Sequence, residues 1–329
     1  MGKNNKGKKG GSAASEEHLF LPAHAATTSI VDTHTHLVST YSAYRSKYPD
    51  GKYATIPDFV RELYKGKNVE AIVDVWCEAP VQQVWTELAD ATLNDQTRME
   101  SWGGLQYYFV MGVHPHDAKQ YTDSVEQNIL EAMTHPRCVG WGEMGLDYHY
   151  DNSPREAQRQ VFARQLRCAV RLGKPLTIHT REAEEDTERI LKAEVPKDHK
   201  IHVHCYTDSP EWAARMLDYF PNLFIGITGV ITYSSNLNTA NVIRQLAARG
   251  RDQPLRIVLE TDAPFMTPSN IYGSLKDVKG KLPLSHSAMI PWTADFVAGV
   301  ANEVAGADAW DADRVLRESR ANARTMYGI

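Results

Sequence analysis

The sequence lacks the features that mark several large classes of protein. It has no run of 18 apolar residues, which argues against a membrane-spanning helix. Its 4 cysteines lie far apart without a C-x-x-C pair, a pattern that fits neither a disulfide framework nor a structural zinc module and predicts buried, reduced thiols. It also lacks an excess of basic residues, and its net charge of −5 argues against a broad surface that coats nucleic acid. We therefore expect a soluble globular protein in which any nucleic-acid site is local.

Residues 1–28 lack the apolar stretch that a secretory signal needs. The segment begins with glycine, serine and lysine, including Lys3, Lys6, Lys8 and Lys9, and it contains no arginine, which argues against a mitochondrial presequence. We expect a disordered basic tail, which is either a solvated linker or an arm that touches nucleic acid. The expected location is cytoplasmic or nuclear.

Beyond the tail, short runs rich in valine and isoleucine alternate with stretches of helical spacing, which predicts repeated βα units. The predicted strands cover Ser29–Leu37, Glu70–Trp76, Gln106–His114, Cys138–Leu146, Pro175–Thr180, Ile201–Tyr206, Asn222–Thr228 and Arg256–Thr261. The clearest helices are predicted at Pro154–Leu172, Glu182–Lys192, Pro210–Tyr219, Asn236–Ala248, Ala288–Val304 and Asp311–Met326.

This series of apolar strands has no glycine-rich turn after its first member, which favours a closed barrel over a doubly wound sheet. The predicted fold class is α/β, a (β/α)8 TIM barrel that forms a single domain over residues 29–329. Two connections, Ser39–Val69 and Cys77–Leu105, are long for this fold. We interpret them as inserted segments with short helices at Pro57–Tyr64 and Val81–Leu93.

Histidines and carboxylates recur at the ends of the predicted strands, where the active site of a TIM barrel lies. The first strand ends in Asp-Thr-His-Thr-His, and side chains two apart on a strand point the same way, so His34 and His36 can both face the barrel interior. The fourth strand places Glu143 among glycines and apolar residues, where an unpaired charge is costly. The fifth, sixth and eighth strands end in His179, His204 and Asp262.

Each of these residues alone has an ordinary structural explanation, such as a hydrogen-bonded core histidine or a glutamate paired with arginine. Histidine is rare in this chain, at 13 of 329 residues, so its coincidence with several strand ends favours a metal site. Four imidazoles and two carboxylates exceed what one ion normally takes from a protein. We therefore predict two divalent metal ions (zinc, magnesium or manganese) roughly 3.5–4 Å apart, with Glu143 as the bridging ligand.

Several motifs carry these residues: Asp-Thr-His-Thr-His at 32–36, Gly-Val-His-Pro-His at 112–116, Gly-Glu-Met-Gly-Leu-Asp-Tyr at 142–148, Ile-His-Thr-Arg-Glu-Ala at 178–183, His-Cys-Tyr at 204–206 and Glu-Thr-Asp-Ala-Pro at 260–264. Together they resemble the TatD family of metal-dependent deoxyribonucleases, within the wider amidohydrolase-like barrels. The resemblance implies two ligand sets: His34, His36, Glu143 and Asp262 around one metal, and Glu143, His179 and His204 around the other. It also implies cleavage of phosphodiester bonds in DNA by a 3′→5′ exonuclease that acts on single strands or 3′ ends.

Other segments depart from the family pattern. The sequence His-Cys-Tyr-Thr-Asp-Ser at 204–209 replaces the usual His-Cys-Phe-Ser-Gly, and the stretch 276–291 lacks the short Arg-Asn-Glu-Pro-like sequence that is common after the last strand. These variants and the two inserted segments resemble a fungal TatD-related branch. They concern the substrate side of the site and leave the metal ligands intact.

The catalytic roles are expected to fall on Asp262 and Glu143. Asp262 is the candidate to accept a proton from the attacking water, and Glu143 is the bridging ligand. His114 and His116 follow the third strand and are candidate contacts to the phosphate or the leaving group. A turn that is fixed by Pro115 and contains a hydrogen-bonded histidine is the alternative interpretation.

Arg181 is a candidate phosphate contact because guanidinium groups bind phosphate oxygens in pairs. Its alternative role is an ion pair with Glu143 or Asp147. Tyr148 and Tyr206 are candidates to stack on a base, and buried packing is the alternative explanation for both tyrosines.

Two other functions are compatible with the sequence. A hydrolase of the same superfamily that acts on a small ester, amide or aminoacyl substrate would use the same metals. The third possibility is a scaffold that binds a protein partner through the inserted segments, which are rich in aromatic residues: Tyr41, Tyr44, Tyr48, Tyr53, Tyr64, Trp76, Trp85 and Trp102. In each case we expect a monomer with no role at a membrane.

Overall fold

A computed structural model describes residues 14–150, 152–250, 252–275 and 278–329. Eight strands follow one another in chain order around one sheet, and every neighbouring pair is parallel. The strands are β1 (Ile30–Thr35), β2 (Val69–Trp76), β3 (Gln106–Met111), β4 (Cys138–Asp147), β5 (Leu176–Arg181), β6 (Ile201–Val203), β7 (Leu223–Ile227) and β8 (Ile257–Leu259).

Backbone hydrogen bonds between the ends of β8 and β1 close this sheet. The N–H of Asp262 donates to the carbonyl of His34 at 2.9 Å, and the N–H of His36 donates to the carbonyl of Ala263 at 2.9 Å. The prediction of a (β/α)8 barrel is therefore confirmed. Because all strands are parallel, their C-terminal ends form one face, which we call the mouth, and their N-terminal ends form the other, which we call the base.

The helices lie between and after the strands. Several begin at a residue whose side chain accepts a backbone N–H of the first turn, including Thr55, Thr122 and Ser209. The helices are α1 (Leu37–Lys47), α2 (Ile56–Leu63), α3 (Val84–Asp90), α4 (Asp95–Trp102), α5 (Asp123–Ala132), α6 (Arg155–Arg171), α7 (Glu184–Glu194), α8 (Pro210–Tyr219), α9 (Asn238–Ala247), α10 (Ile290–Ala305) and α11 (Ala312–Tyr327).

The two inserted segments are helical and pack against the barrel. The helix predicted at Pro57–Tyr64 is α2, and the stretch predicted at Val81–Leu93 contains the shorter α3. Their aromatic residues pack into the core or against it, with Tyr44 and Trp102 almost fully buried. These aromatic residues therefore do not form the exposed partner surface that the scaffold hypothesis requires.

Helix α1 was not predicted, because its sequence is rich in serine, threonine and tyrosine and the first strand was extended through Leu37. The helix begins there because the N–H of Leu37 donates to a carboxylate oxygen of Asp74, at 2.8 Å. Asp74 belongs to β2, so this cap comes from a residue distant in the chain and leaves no local signal in the sequence.

The expectation of a disordered tail up to residue 28 is wrong for residues 14–28. Leu19 and Leu21 are buried, and the hydroxyl of Tyr44 donates to Glu16 at 2.5 Å. Further along, Thr28 donates to Asp313 from both its N–H and its hydroxyl. The apolar and polar contacts of this segment with the barrel hold it in place. The lysine-rich residues 1–13 lie outside the described residues.

Helix α11 closes the base of the barrel. Arg320 donates two hydrogen bonds to Glu70 at the start of β2, at 2.6 and 2.8 Å. At the end of the helix, the hydroxyl of Tyr327 lies 2.8 Å from both Thr177 Oγ1 and His202 Nδ1. These contacts tie the helix to strands on several sides of the barrel.

Two expectations from composition have a structural counterpart. The cysteines are free thiols, of which Cys77, Cys138 and Cys168 are buried and Cys205 is half-buried. Within the described ranges, no helix combines the length and apolar character needed to cross a bilayer.

Candidate metal centre

The six predicted ligands converge at the mouth of the barrel. They come from five different strands or from the turns that follow them, and all lie buried or nearly buried. The side chains of His34, Glu143 and His204 are exposed by 0%, 3% and 4%. The structure thus brings together His34, His36, Glu143, His179, His204 and Asp262.

Glu143 lies at the centre of the cluster, and its two carboxylate oxygens face two different pairs of histidines. Oε2 is 3.3 Å from His34 Nε2 and 3.9 Å from His36 Nε2. Oε1 is 2.7 Å from His179 Nδ1 and 2.9 Å from His204 Nε2. This division is the arrangement expected of a carboxylate that bridges two cations.

The spacing within each half fits an ion bound by neighbouring ligands. In the first half, His34 Nε2 and His36 Nε2 are 3.3 Å apart, and His36 Nε2 is 3.3 Å from Asp262 Oδ1. In the second half, His179 Nδ1 and His204 Nε2 are also 3.3 Å apart. Two ligands bound tetrahedrally at zinc-like bond lengths lie about 3.3 Å from each other, so these donor sets fit a metal.

The alternative explanation of Glu143, an ion pair with arginine, does not hold within the described ranges. Among the described residues, its ionic contacts are all to histidines, including His114 at 3.4 Å. Several imidazoles can surround one carboxylate either because they are protonated and donate hydrogen bonds to it, or because they and the carboxylate bind the same metal. A buried carboxylate among several imidazole nitrogens therefore provides the donor atoms of a metal cation site.

Glycine allows strand β4 to bring its acidic residues this close to β5. Gly145 lies between Glu143 and Asp147, with a φ of 154°. A Cβ at this position would lie 1.9 Å from the carbonyl oxygen of His179. Because side chains alternate along a strand, Glu143 and Asp147 then face the same side.

The electrostatics of the cluster favour ionised carboxylates. Burial alone would raise the pKa of Glu143, but the charges of His204 and His114 and the hydrogen bonds from His114 and His179 hold it well below its usual value. Burial lowers the pKa of His36, yet the hydrogen bond to Asp262 and the carboxylate charges outweigh this effect and raise it to about 9. Ionised carboxylates are the form that binds a cation.

Two acidic residues that were not predicted as ligands contact the histidines of the cluster. Asp147 lies 2.9 Å from His116 Nε2 and 3.4 Å from His179 Nε2. Glu260 accepts the N–H of Cys205 and lies 2.9 Å from His202 Nε2 and 3.9 Å from His204 Nδ1. For Asp147 the spacing was a usable signal, because this residue stands four positions after the predicted ligand Glu143 on the same strand. Glu260 follows the end of β8, where this alternation does not apply.

The predicted substrate contacts lie around this cluster. His114 Nε2 is 3.4 Å from Glu143, and a group of His114, Glu143 and His179 is compact enough to hold a metal itself. The ring of His114 also accepts the N–H of His116, so the turn interpretation is satisfied as well. Arg181 forms no ion pair with Glu143 or Asp147, and its guanidinium lies 5.0 Å from the ring centroid of Tyr150.

The two tyrosines predicted to stack on a base are not available for stacking. Tyr206 is 1% exposed and stacks on Trp212, so it belongs to the core. Tyr148 donates its hydroxyl to Asp186, and the guanidinium of Arg155 covers its ring at 4.4 Å. The alternative explanation, buried packing, therefore holds for Tyr206, and Tyr148 is held by its contacts with Asp186 and Arg155.

Comparison with known proteins agrees with this geometry. The sequence profile of the family described as TatD related DNase matches residues 31–328. The human 3′-5′ RNA nuclease TATDN2 is 38% identical over 251 residues, which cover 74% of this chain and 30% of the human protein. The chain therefore spans less than a third of that relative's length. The 3′-5′ ssDNA/RNA exonuclease TatD of Klebsiella pneumoniae is 31% identical, with 66% of this chain and 76% of the bacterial protein covered.

A solved structure shows the same architecture. The crystal structure of YJJV, a TatD homologue from Escherichia coli K12, superposes with a TM-score of 0.65 and covers 91% of this chain and 98% of that one. Its sequence identity is 22%, so this likeness concerns the fold alone.

Proposed function

Because the chain belongs to the TatD related DNase family and is thus a metal-dependent hydrolase, we propose that its substrate is the 3′ end of single-stranded DNA. The bacterial relative is named as a 3′-5′ ssDNA/RNA exonuclease, which supports both the polarity and the single-stranded substrate. The observation that carries the proposal is the position of Glu143, whose two oxygens face separate ligand sets. Two cations held in this way are a common device for phosphodiester cleavage.

We assign two divalent ions to the cluster. His34, His36 and Asp262 would hold one of them on the Oε2 side of Glu143, and His179 and His204 would hold the other on the Oε1 side. Imidazole ligands favour zinc or manganese, and the carboxylate oxygens also admit magnesium. When bound, such ions polarise phosphoryl oxygens and lower the pKa of a water molecule from ~15.7 toward ~7.

In this proposal, Asp262 accepts the proton of the attacking water. Burial would raise the pKa of Asp262, but the hydrogen bond with His36 and the charges of His204 and His34 outweigh this effect and lower it. The side chain is therefore ionised at neutral pH and can act as a base. It lies at the mouth with 13% of its surface exposed, within reach of a substrate and shielded from bulk water.

The cationic groups beside the cluster bind and orient the phosphate in this proposal. Arg181 is half-buried next to the metal ligands, and its contact with Tyr150 leaves its N–H groups available for a phosphate. His116 is held by Asp147 at 2.9 Å, which fixes the ring as a contact for the phosphate or the leaving oxygen. His114 lies deeper, and its distance from Glu143 suits a contact to the same phosphate.

The test is a metal-dependent degradation assay. Metal-stripped protein is incubated with 5′-labelled single-stranded DNA, and Mg²⁺, Mn²⁺ or Zn²⁺ is added in turn. We expect a ladder that shortens from the 3′ end only when metal is present. Glu143→Ala should abolish it, while the matched control Glu303→Ala, on the outer face of α10 against Arg244, should leave it intact. Metal binding without DNA cleavage would contradict the proposal and point to a small ester or amide.

RNA is the second candidate substrate, because both reported nuclease relatives carry RNA in their names. The same assay with an RNA of identical sequence gives the ratio of the two kcat/KM values, which decides between the substrates. A monomeric state and a cytoplasmic or nuclear location stay predictions.

A further inference from the structure

Two aromatic side chains are exposed on opposite sides of the barrel mouth. Phe265 follows β8 and is 58% exposed, and Tyr150 follows β4 and is 46% exposed. The strand order from β1 to β8 places β4 and β8 across the barrel from each other. The candidate metal centre, which includes Glu143 on β4 and Asp262 after β8, therefore lies between the two turns that carry these residues.

The backbone that carries Phe265 is fixed although its ring is exposed. The N–H of Phe265 donates to the carbonyl of Asp262 at 3.0 Å, and the carbonyl of Pro264 accepts the N–H of Ser285 at 2.8 Å. The carbonyl oxygen of Met266 packs closely on Gly229, and a Cβ on that glycine would lie only 2.0 Å from this oxygen. A rigid loop thus presents an uncovered aromatic ring beside one of the predicted metal ligands.

The ring of Tyr150 is exposed at the opposite side, beside the other half of the cluster. Its N–H donates to Asp147 at 3.1 Å, and the same carboxylate contacts His116. The guanidinium of Arg181 lies 5.0 Å from the ring centroid, and His149 meets the ring edge-on at 4.6 Å. An aromatic ring next to a cation suits a base and its phosphate together.

We propose that Phe265 and Tyr150 are stacking surfaces for two unpaired nucleobases, one on each side of the phosphate that is cleaved. This inference rests on the proposed function and adds the reason for a single-stranded substrate. Each ring needs the open face of a base, and the bases of a duplex are already stacked and paired. Stacking reads no base edge, so the subsites accept every sequence. They take the place of Tyr148 and Tyr206, which are both less exposed than Tyr150 and Phe265.

Stacking on an aromatic side chain contributes about 1–3 kcal/mol per base, so each ring should affect binding by roughly 5-fold to 150-fold. We expect Phe265→Ala and Tyr150→Ala to raise the KM for single-stranded DNA within that range, with kcat changed much less. Phe265→Trp should keep the wild-type KM. Leu172→Ala is the matched control, because Leu172 is also apolar and 45% exposed but lies at the end of α6, near the base of the barrel. It should leave the KM unchanged.

An oligonucleotide with abasic residues at its 3′ end tests the stacking directly. The wild-type protein should bind it as weakly as the double variant Phe265→Ala/Tyr150→Ala binds normal DNA, and the double variant should lose nothing further on it. Weaker binding of abasic DNA than of normal DNA by the double variant would overturn the proposal, because the bases would then be bound by something other than these two rings. Melting temperatures of the variants, measured alongside, should match the wild type since both rings are exposed.

A binding measurement separates this proposal from the proposed function. A fluorescent, phosphorothioate-linked single strand resists cleavage, and its anisotropy reports Kd for the metal-loaded protein and each variant. Weaker binding by Phe265→Ala and Tyr150→Ala supports the stacking subsites even if no DNA is degraded, in which case the nuclease proposal alone fails. Equal Kd values for all proteins would overturn the stacking proposal, whatever the cleavage assay shows.

Discussion

Acidic side chains have different kinds of partner at the two ends of the barrel. At the base, Glu70 is closed off by Arg320 through two hydrogen bonds of 2.6 and 2.8 Å. At the mouth, Glu143 has no such partner among the described residues and lies instead among imidazole nitrogens, with His179 Nδ1 at 2.7 Å. A guanidinium stays protonated and remains paired with its carboxylate, whereas a neutral imidazole has a nitrogen lone pair that can bind a cation.

This difference indicates that the contacts that stabilise the fold and the groups that carry out the chemistry lie at opposite ends of the same strands. The base is completed by α11, whose side chains pair with groups of the chain itself. The mouth gathers groups that gain their full set of partners only from a ligand or a metal. TIM barrels generally divide these tasks in this way, and the division makes opposite predictions for substitutions at the two ends.

The largest effect is expected at the mouth, from Asp262→Asn. Removing the proposed proton acceptor should lower kcat by about 100-fold to 10,000-fold. The fold should be unaffected, because asparagine tolerates the positive φ of 53° at this position. Single-turnover kinetics and metal analysis of the same sample check the prediction. Full turnover with both metals still bound would remove Asp262 from its proposed role.

An intermediate effect is expected from Tyr327→Phe, a substitution at the end of α11. The hydroxyl lies 2.8 Å from Thr177 Oγ1 and from His202 Nδ1, and its loss leaves two buried polar atoms without this partner. We expect the free energy of unfolding to fall by about 2 kcal/mol, measured in urea. His202 is not one of the predicted ligands and meets the ring of His34 only edge-on, with 6.4 Å between the centroids, so kcat should fall by less than about 10-fold. A larger loss of kcat would show that the two ends are coupled.

Much of this architecture was predictable from the sequence, because it depends on local patterns. Apolar runs at regular intervals predicted the strands, and the residue types at the strand ends predicted the six side chains that the structure brings together. Their assignment as ligands stays a prediction that metal analysis must test. The match was possible because parallel strands in a barrel bring their C-terminal ends to one face, wherever they stand in the chain.

The remainder depends on contacts between distant segments and on turns that have no periodicity. The sixth and eighth strands were predicted through Tyr206 and Thr261, but they end at Val203 and Leu259. Cys205 and Asp262 then take positive φ values of 43° and 53°. Turns of this kind redirect the side chains that follow them, so the alternation of a strand does not predict the directions of Tyr206 or Phe265.

The smallest effect is expected at the base, from Glu70→Gln. The Glu70 side chain is 31% exposed, so the loss of its pair with Arg320 should cost only about 0.5–1 kcal/mol of unfolding free energy, with kcat unchanged. Burial raises the pKa of Glu70, but Arg320 outweighs it and lowers the value below its ordinary 4.5. The folded pKa is thus below the unfolded one, so the stabilisation is complete above about pH 4.5 and disappears as the pH falls through the folded value. Urea unfolding at several pH values should show the wild type and the variant converging in acid. A difference that stays constant down to about pH 3.5 would mean that the charge of Glu70 contributes nothing to the stability of the base.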